Sequence, residues 1–357
     1  MAYKGLDSGW FPVVLGTLSI SLAFFIIYLV FHSKFLFEVG RIIYFIVLIL
    51  FAFVLVSWVF RYIKNKNLIM EDYKDITKFS FIAFLGVLYY AFAFFYTSYV
   101  GLNGSVAYLF YYLFLFFYTV VILINIVLNY NLYTNKYSFG RVTYAILVPS
   151  IVMSANIILS SVMLTPPMSK YYSLSILRTV YFMVMIAFGI SFFQFLFVGI
   201  SAYISHISDR PNYLQTAPTA MIPVGALSML IINIMFMPQF NYIGIFYVPL
   251  NFSVNTSVML WGFDLFLFLV SGAVAITHIR QRQSMAVWAY VFPTGISTFS
   301  DYMIYSVTKL EIFVYSIVAF TVGLIILYIY AWINTYLLTL WRLYPVDAII
   351  LFYMISY

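Results

Sequence analysis

A chain of 357 residues in which 65% are hydrophobic and only 8% charged cannot cover a water-soluble surface. Its net charge of +7 reads first as the basic loops that membrane proteins keep on one side of the bilayer, and an electropositive path for anions is compatible with it. Cysteine is absent, which excludes disulfides, thiolate metal sites and cysteine catalysis.

Ten spans are predicted. Their runs are solidly apolar rather than alternating, so they read as helices and not as barrel strands. The first, 11–31, follows a lysine as a signal peptide would, but it is too long and ends without a small-residue cleavage site, so a retained span is expected. It opens at Pro12, with Gly16, Thr17 and Ser19 close behind. The second covers 42–60. The segment RYIKNKNLIMEDYKDITK, 61–78, carries charges of both signs and reads as a solvated loop. The third span, 79–100, lacks proline but has Gly86 at a comparable depth, and the fourth covers 106–130. The fifth, 142–164, holds Pro149, Ser150 and Ser154, and the sixth covers 179–204. The seventh, 219–238, holds Pro223, Gly225 and Ser228, and the eighth, 255–277, holds Asp264. The ninth, 285–308, contains Pro293, Thr294, Gly295, Ser297, Thr298, Phe299 and Asp301, and the tenth covers 312–341. Residues 1–341 thus read as one all-α membrane domain. The short tail, 342–357, is expected along the interface or in the cytoplasm.

Ten spans place both termini on one side. That side collects 12 of the 17 basic residues: Lys4, Arg61, Lys64, Lys66, Lys74, Lys78, Lys136, Arg141, Arg210, Arg280, Arg282 and Arg342. The other side has Lys34, Arg41, Lys170, Arg178 and Lys309. Cytoplasmic termini and a multi-pass plasma-membrane location are expected. The sequons at Asn103, Asn251 and Asn255 fall on the outer side, which agrees.

The breaks alternate. Positions 12, 86, 149, 223 and 293 mark the odd spans at intervals of 74, 63, 74 and 70 residues, a repeat of five helical hairpins. Even spans hold no interior proline. Proline inside a helix frees backbone carbonyls, which in lipid need hydroxyls, water or another helix. An inner ring of broken odd helices and an outer ring of lipid-facing even helices is therefore expected, with a central path such as transporters and channels use.

Trp288-Ala-Tyr-Val-Phe-Pro-Thr-Gly295 resembles the W-x-x-x-F-P-x-G/T motif of the tellurite-resistance/dicarboxylate transporter family, which includes bacterial tellurite-resistance proteins, fungal malate and sulfite transporters and plant slow anion channels. Phe11-Pro-Val-Val-Leu-Gly-Thr17 is similar to its first-helix segment, with Leu15 and Leu18 departing from the pattern. Ala217-Pro-Thr219 with Ile222-Pro-Val-Gly225 resembles its seventh-helix segment. The resemblance implies a five-fold pseudo-symmetric ring, a homotrimer with an anion path through each subunit, and Phe292 as a plug in mid-pore. The substrate it implies is a small inorganic or organic anion. Beyond that anion and membrane lipid, neither a cofactor nor a nucleic acid is expected.

Asp264, Asp301 and Arg178 are costly charges for a bilayer. One reading pairs an aspartate with Arg178 or with hydroxyls and tyrosines; the other makes an aspartate a proton carrier. Thr294, Ser297, Thr298 and Asp301 fall on one helical stripe, and Phe292, Gly295 and Phe299 on another face, since Phe292 lies about 160° from Thr294. Phe292 is expected to face the pore and Asp301 a neighbouring helix. Gly295 is expected to leave room in which the Phe292 ring can swing. Haem or quinone binding is disfavoured because His32, His206 and His278 lie near span ends. An enzyme is disfavoured because the acidic cluster of Glu71, Asp72 and Asp75 lies among lysines.

Overall fold

The computed structural model describes residues 6–101, 104–134, 143–165, 169–208, 217–277 and 284–343. Lys4, Asn103, Lys136, Arg141, Arg210, His278, Arg280, Arg282 and the tail from residue 344 lie outside the described residues.

Helices in chain order are α1 (Phe11–Phe31), α2 (Lys34–Lys64), α3 (Asn67–Lys74), α4 (Ile76–Phe81), α5 (Phe84–Tyr99), α6 (Gly104–Tyr133), α7 (Val148–Ser154), α8 (Asn156–Met163), α9 (Leu174–Ser208), α10 (Ile222–Phe236), α11 (Leu250–Thr277), α12 (Val291–Thr308) and α13 (Glu311–Leu343). No strand occurs among the described residues. Among the described residues, nine runs are long and apolar enough to cross a membrane. The run Met285–Thr308 has similar length, but the hydroxyls and Asp301 of α12 make it more polar. Several helices run past the predicted spans, α2 and α9 most of all. Charged residues at their ends, such as the Glu38–Arg41 ion pair, prolong the helix into the interface instead of ending it.

Burial alternates along the chain. In the apolar stretches of α1, α4–α5, α7–α8 and α10, 67–94% of residues are buried, against 17–33% in α2, α6, α9, α11 and α13. Every residue from Val291 to Asp301 in α12 is buried. The buried helices close a ring: α1 packs on α5, α5 on α7 and α8, these on α10, α10 on α12, and α12 on α1. Each exposed helix lies over a seam of that ring: α2 over α1 and α5, α6 over α5 and α7–α8, α9 over α7–α8 and α10, α11 over α10 and α12, α13 over α12 and α1. The all-α fold of inner odd and outer even helices follows from composition: helices rich in small and hydroxylated residues allow close backbones, and helices of Leu, Ile, Val, Phe and Tyr suit lipid.

The turns repeat too. His32 after α1, Gly101 after α5, Gly244 before α11 and Lys309 after α12 all have left-handed backbones, with φ of 56°, 96°, 72° and 56°. Such a residue ends one helix and lets the chain reverse within a few residues.

The prolines correct one expectation. They do not kink the middle of α-helices. Short 3-10 segments, Ser8–Trp10, Tyr144–Leu147, Ala217–Met221 and Met285–Tyr290, precede α1, α7, α10 and α12. Pro12, Pro149 and Pro223 then stand at the second residue of α1, α7 and α10, and Pro293 at the third of α12. In the first turn a proline lacks only an N–H that has no intrahelical partner. The hydroxyls nearby mostly bond their own helix: Thr17 donates to the Val13 carbonyl, Ser150 to Leu147 and Thr294 to Tyr290.

The segment 61–78 is a second correction. It is largely helical rather than a loop, and part of its charge is buried although much of it is exposed. Arg61 and Asp72 are 4% and 1% exposed and pair at 2.8 Å. Lys78 reaches Asp72 at 3.3 Å and Asp7 at 3.5 Å, Tyr62 donates to Asp72 at 2.9 Å, and Ser8 donates to the Lys78 carbonyl. Arg61, Asp72 and Lys78 are here internally paired and pin α3 and the start of α4 against the entry to α1, while Lys64, Lys66, Glu71, Lys74 and Asp75 are exposed as the sequence suggests.

Candidate functional site

The interior of the ring can be located from side chains that meet across it. Helices α5 and α12 are separated in the ring by α1. Phe84 of α5 nonetheless meets Phe292 of α12 edge to face, with centroids 5.0 Å apart and planes at 73°. Phe299, two turns further along α12, meets Phe94 of α5 at 6.0 Å and Phe236 of α10 at 6.3 Å. The two α5–α12 contacts cross the interior and the Phe236 contact joins ring neighbours, all in the edge-on and tilted geometries that aromatic pairs favour. Phe81 extends the first layer through Phe84, and Phe240 extends the second by stacking on Phe236. Seven residues of helix separate Phe292 from Phe299, so the two layers lie about 10 Å apart. Phe292 is 1% exposed.

The other face of α12 carries the polar groups, as the helical stripe requires. Ser228 of α10 and Ser297 of α12 place their hydroxyls 3.0 and 3.2 Å from Oδ2 of Asp264, and 2.9 Å from each other. Oδ1 of Asp264 has no hydrogen-bond partner. Asp301, one turn beyond Ser297 on the same stripe, has Ser300, Ser316 of α13 and Trp261 of α11 as neighbours. Neither Asp301 oxygen has a donor in hydrogen-bonding geometry. Both carboxyls are fully buried. Arg178 is not their partner: it is exposed near the start of α9, and among the described residues no ion pair joins it to either aspartate. A long side chain at the membrane edge extends toward water rather than into the bundle. Among the described residues there is also no group of three or more acidic or histidine side chains placed to hold a metal.

The model of the voltage-dependent anion channel family matches residues 5–336. The chain belongs to that family. It is the family that the motifs in the first, seventh and ninth spans resemble. Over 352 residues the chain is also 24% identical to an uncharacterized transporter of Methanocaldococcus jannaschii, covering 96% of each. Membership makes this chain a multi-pass anion-transport protein of a membrane.

In this family member the glycines of the candidate site do not open space; they let helices touch. A Cβ on Gly295 would lie 2.4 Å from Cβ of Ser19 in α1, and one on Gly16 would lie 2.8 Å from the Trp288 ring. Gly86 faces Val121 and Val152, and Gly225 faces Pro293. The room expected beside Phe292 at Gly295 is therefore occupied by α1, because residue 295 points about 60° off the Phe292 direction. Trp288 completes this contact. Its ring meets Trp332 and Tyr328, and its Nε1 donates to Thr335, which ties α12 to α13. Gly295→Ala is expected to push α12 from α1 and destabilise the protein by about 1–3 kcal/mol, as overpacking does. Thermal unfolding in detergent checks this, and an unchanged midpoint would remove Gly295 from the helix contact.

Sequence reasoning missed Phe84, Phe94 and Phe236, which are three of 39 phenylalanines with no local signature. It also missed Asn233, which bridges α10 to Ser154 of α7.

Proposed function

We propose that the protein passes small anions along the axis of the inner ring, as a channel whose path is closed by two aromatic layers and gated chiefly by Phe292. The observation that supports this reading is the meeting of phenylalanines from the non-adjacent inner helices α5 and α12, Phe84 with Phe292 and Phe94 with Phe299, on the face of α12 opposite its carboxyl. A stack of apolar rings excludes hydrated ions until a ring swings aside. The apolar pairing of Phe292 with Phe84 gives the closed state its stability, and the first-turn junction at Pro293 supplies the local backbone change that a swing requires. In this reading Met285–Thr308 completes ten spans in five pseudo-symmetric hairpins. The pore-lining or helix-break positions of this reading are Pro12, Gly16, Thr17, Gly86, Pro149, Pro223, Gly225, Pro293, Gly295 and Phe299, of which Gly16, Gly86, Gly225 and Gly295 serve as helix contacts. Both termini are cytoplasmic, the membrane is the plasma membrane, and three copies assemble.

The test is flux of chloride, nitrate, sulfite and malate in proteoliposomes holding the purified full chain. Saturable or conductive flux of at least one is expected. No flux of any of them, from a preparation that is folded by circular dichroism, would overturn the reading. A second reading, a proton-coupled carrier for a dicarboxylate or sulfite, is favoured by one observation, the fully buried carboxyls of Asp264 and Asp301. Flux with and without a pH gradient separates the two.

A further inference from the structure

Asp264 and Asp301 sit in the bundle with no counter-cation. Asp264 comes from an outer helix and Asp301 from the gating helix, and both are 0% exposed. The elements packed around them supply hydroxyls and an indole rather than positive charge: Ser228 from α10, Ser297 and Ser300 from α12, Ser316 from α13 and Trp261 from α11. Asp301 lies one helical turn beyond Ser297, which donates to Asp264, and among the described residues no lysine, arginine or histidine lies within ion-pair distance of either aspartate. A bare carboxylate in a bilayer is costly, and two facing one another are costlier. Three carboxyl oxygens, Oδ1 of Asp264 and both of Asp301, remain without a hydrogen-bond partner.

We propose that Asp264 and Asp301 form a shared proton site behind the gating helix. This rests on the second, proton-coupled reading of anion transport above. A proton taken from water converts one carboxylate to a neutral carboxylic acid and so removes the repulsion between the two; release returns the proton to water and restores it. Ser297 and Asp301 lie on the same helix as Phe292 and Phe299, on its opposite face. Loading the site therefore relieves the charge repulsion between α11 and α12, and unloading restores it. Proton occupancy and gate position become linked through one rigid helix.

The experiment uses the full chain in proteoliposomes with an enclosed pH dye, comparing the natural protein with Asp264→Asn, Asp301→Asn and the double variant. Anion flux accompanied by proton uptake is expected for the natural protein. The double variant is expected to keep anion flux while proton uptake falls at least tenfold. Equal proton uptake by both proteins, or flux by the natural protein with no proton movement, would overturn the proposal. Infrared difference spectra between neutral and alkaline pH, a range in which exposed carboxyls stay ionised, provide a readout that does not depend on flux: a titrating carboxylic-acid band should be present in the natural protein and absent from the double variant. If the natural protein passes no anion, the transport reading falls and the infrared band alone decides whether the site holds a proton. If the double variant does not fold, Asp301→Asn alone carries the infrared comparison, and an unchanged band there contradicts the shared site.

Discussion

Phe292→Ala is expected to raise anion current about tenfold, the change that follows when a barrier falls by about 1.4 kcal/mol. Removing the ring abolishes its edge-to-face contact with Phe84, and such pairs contribute about 0.5–1.5 kcal/mol beyond area burial. It also deletes the bulk that fills the axis. The second layer stays in place, because Phe299 is held by Phe94 and Phe236 independently of Phe292. Phe299→Ala alone is therefore expected to raise current less, and the double variant to exceed Phe292→Ala. Currents in planar bilayers or oocytes, normalised to surface protein, decide the matter. If Phe292 merely packs, truncation costs roughly 3–5 kcal/mol of stability and leaves current flat or lower. That result in a well-expressed variant would remove the gate assignment while leaving the fold intact.

Asp72→Ala is expected to destabilise the protein by about 3–5 kcal/mol, the usual cost of breaking a buried ion pair from one side. Asp72 holds Arg61 at 2.8 Å and Lys78 at 3.3 Å, and accepts from Tyr62 at 2.9 Å. Without it, Arg61 stays 4% exposed and loses the partner that justifies its burial. Lys78 keeps Asp7, so the damage should centre on the α2–α3 junction. Thermal or denaturant unfolding in detergent measures this. A loss below about 0.5 kcal/mol would mean the pair behaves like an exposed one.

Where the fold is carried by composition, it was legible in the sequence. Lipid-facing and ring-facing helices differ in residue type along their whole length, so the alternation of spans survives errors at any one position. The separation of Phe292 from the Asp301 stripe was legible too, since a fixed 100° per residue places them on opposite faces whatever packs around them. What failed depended on partners distant in sequence. Gly295 looked like open space because nothing local shows that Ser19 fills it. Arg178 looked like a counter-ion because both it and the aspartates were costly, yet it reaches outward. Asp72 and Arg61 looked solvated because a mixed-charge segment has the same composition whether its charges face water or one another. The prolines were found, but the 3-10 entry that makes them first-turn residues is a backbone choice without a composition signal.

The path along the ring axis is tested most directly by thiol accessibility, which the absence of cysteine makes free of background. Ile296 lies on the same face of α12 as Phe292, about 40° away and one turn further on, whereas Leu269 of α11 is 63% exposed on the outer surface. In a Phe292→Ala background, a negatively charged methanethiosulfonate reagent is expected to block anion current through Ile296→Cys and to leave Leu269→Cys unaffected. Unblocked current through a fully modified Ile296→Cys, or block through Leu269→Cys instead, would contradict an anion path along the axis of the inner ring.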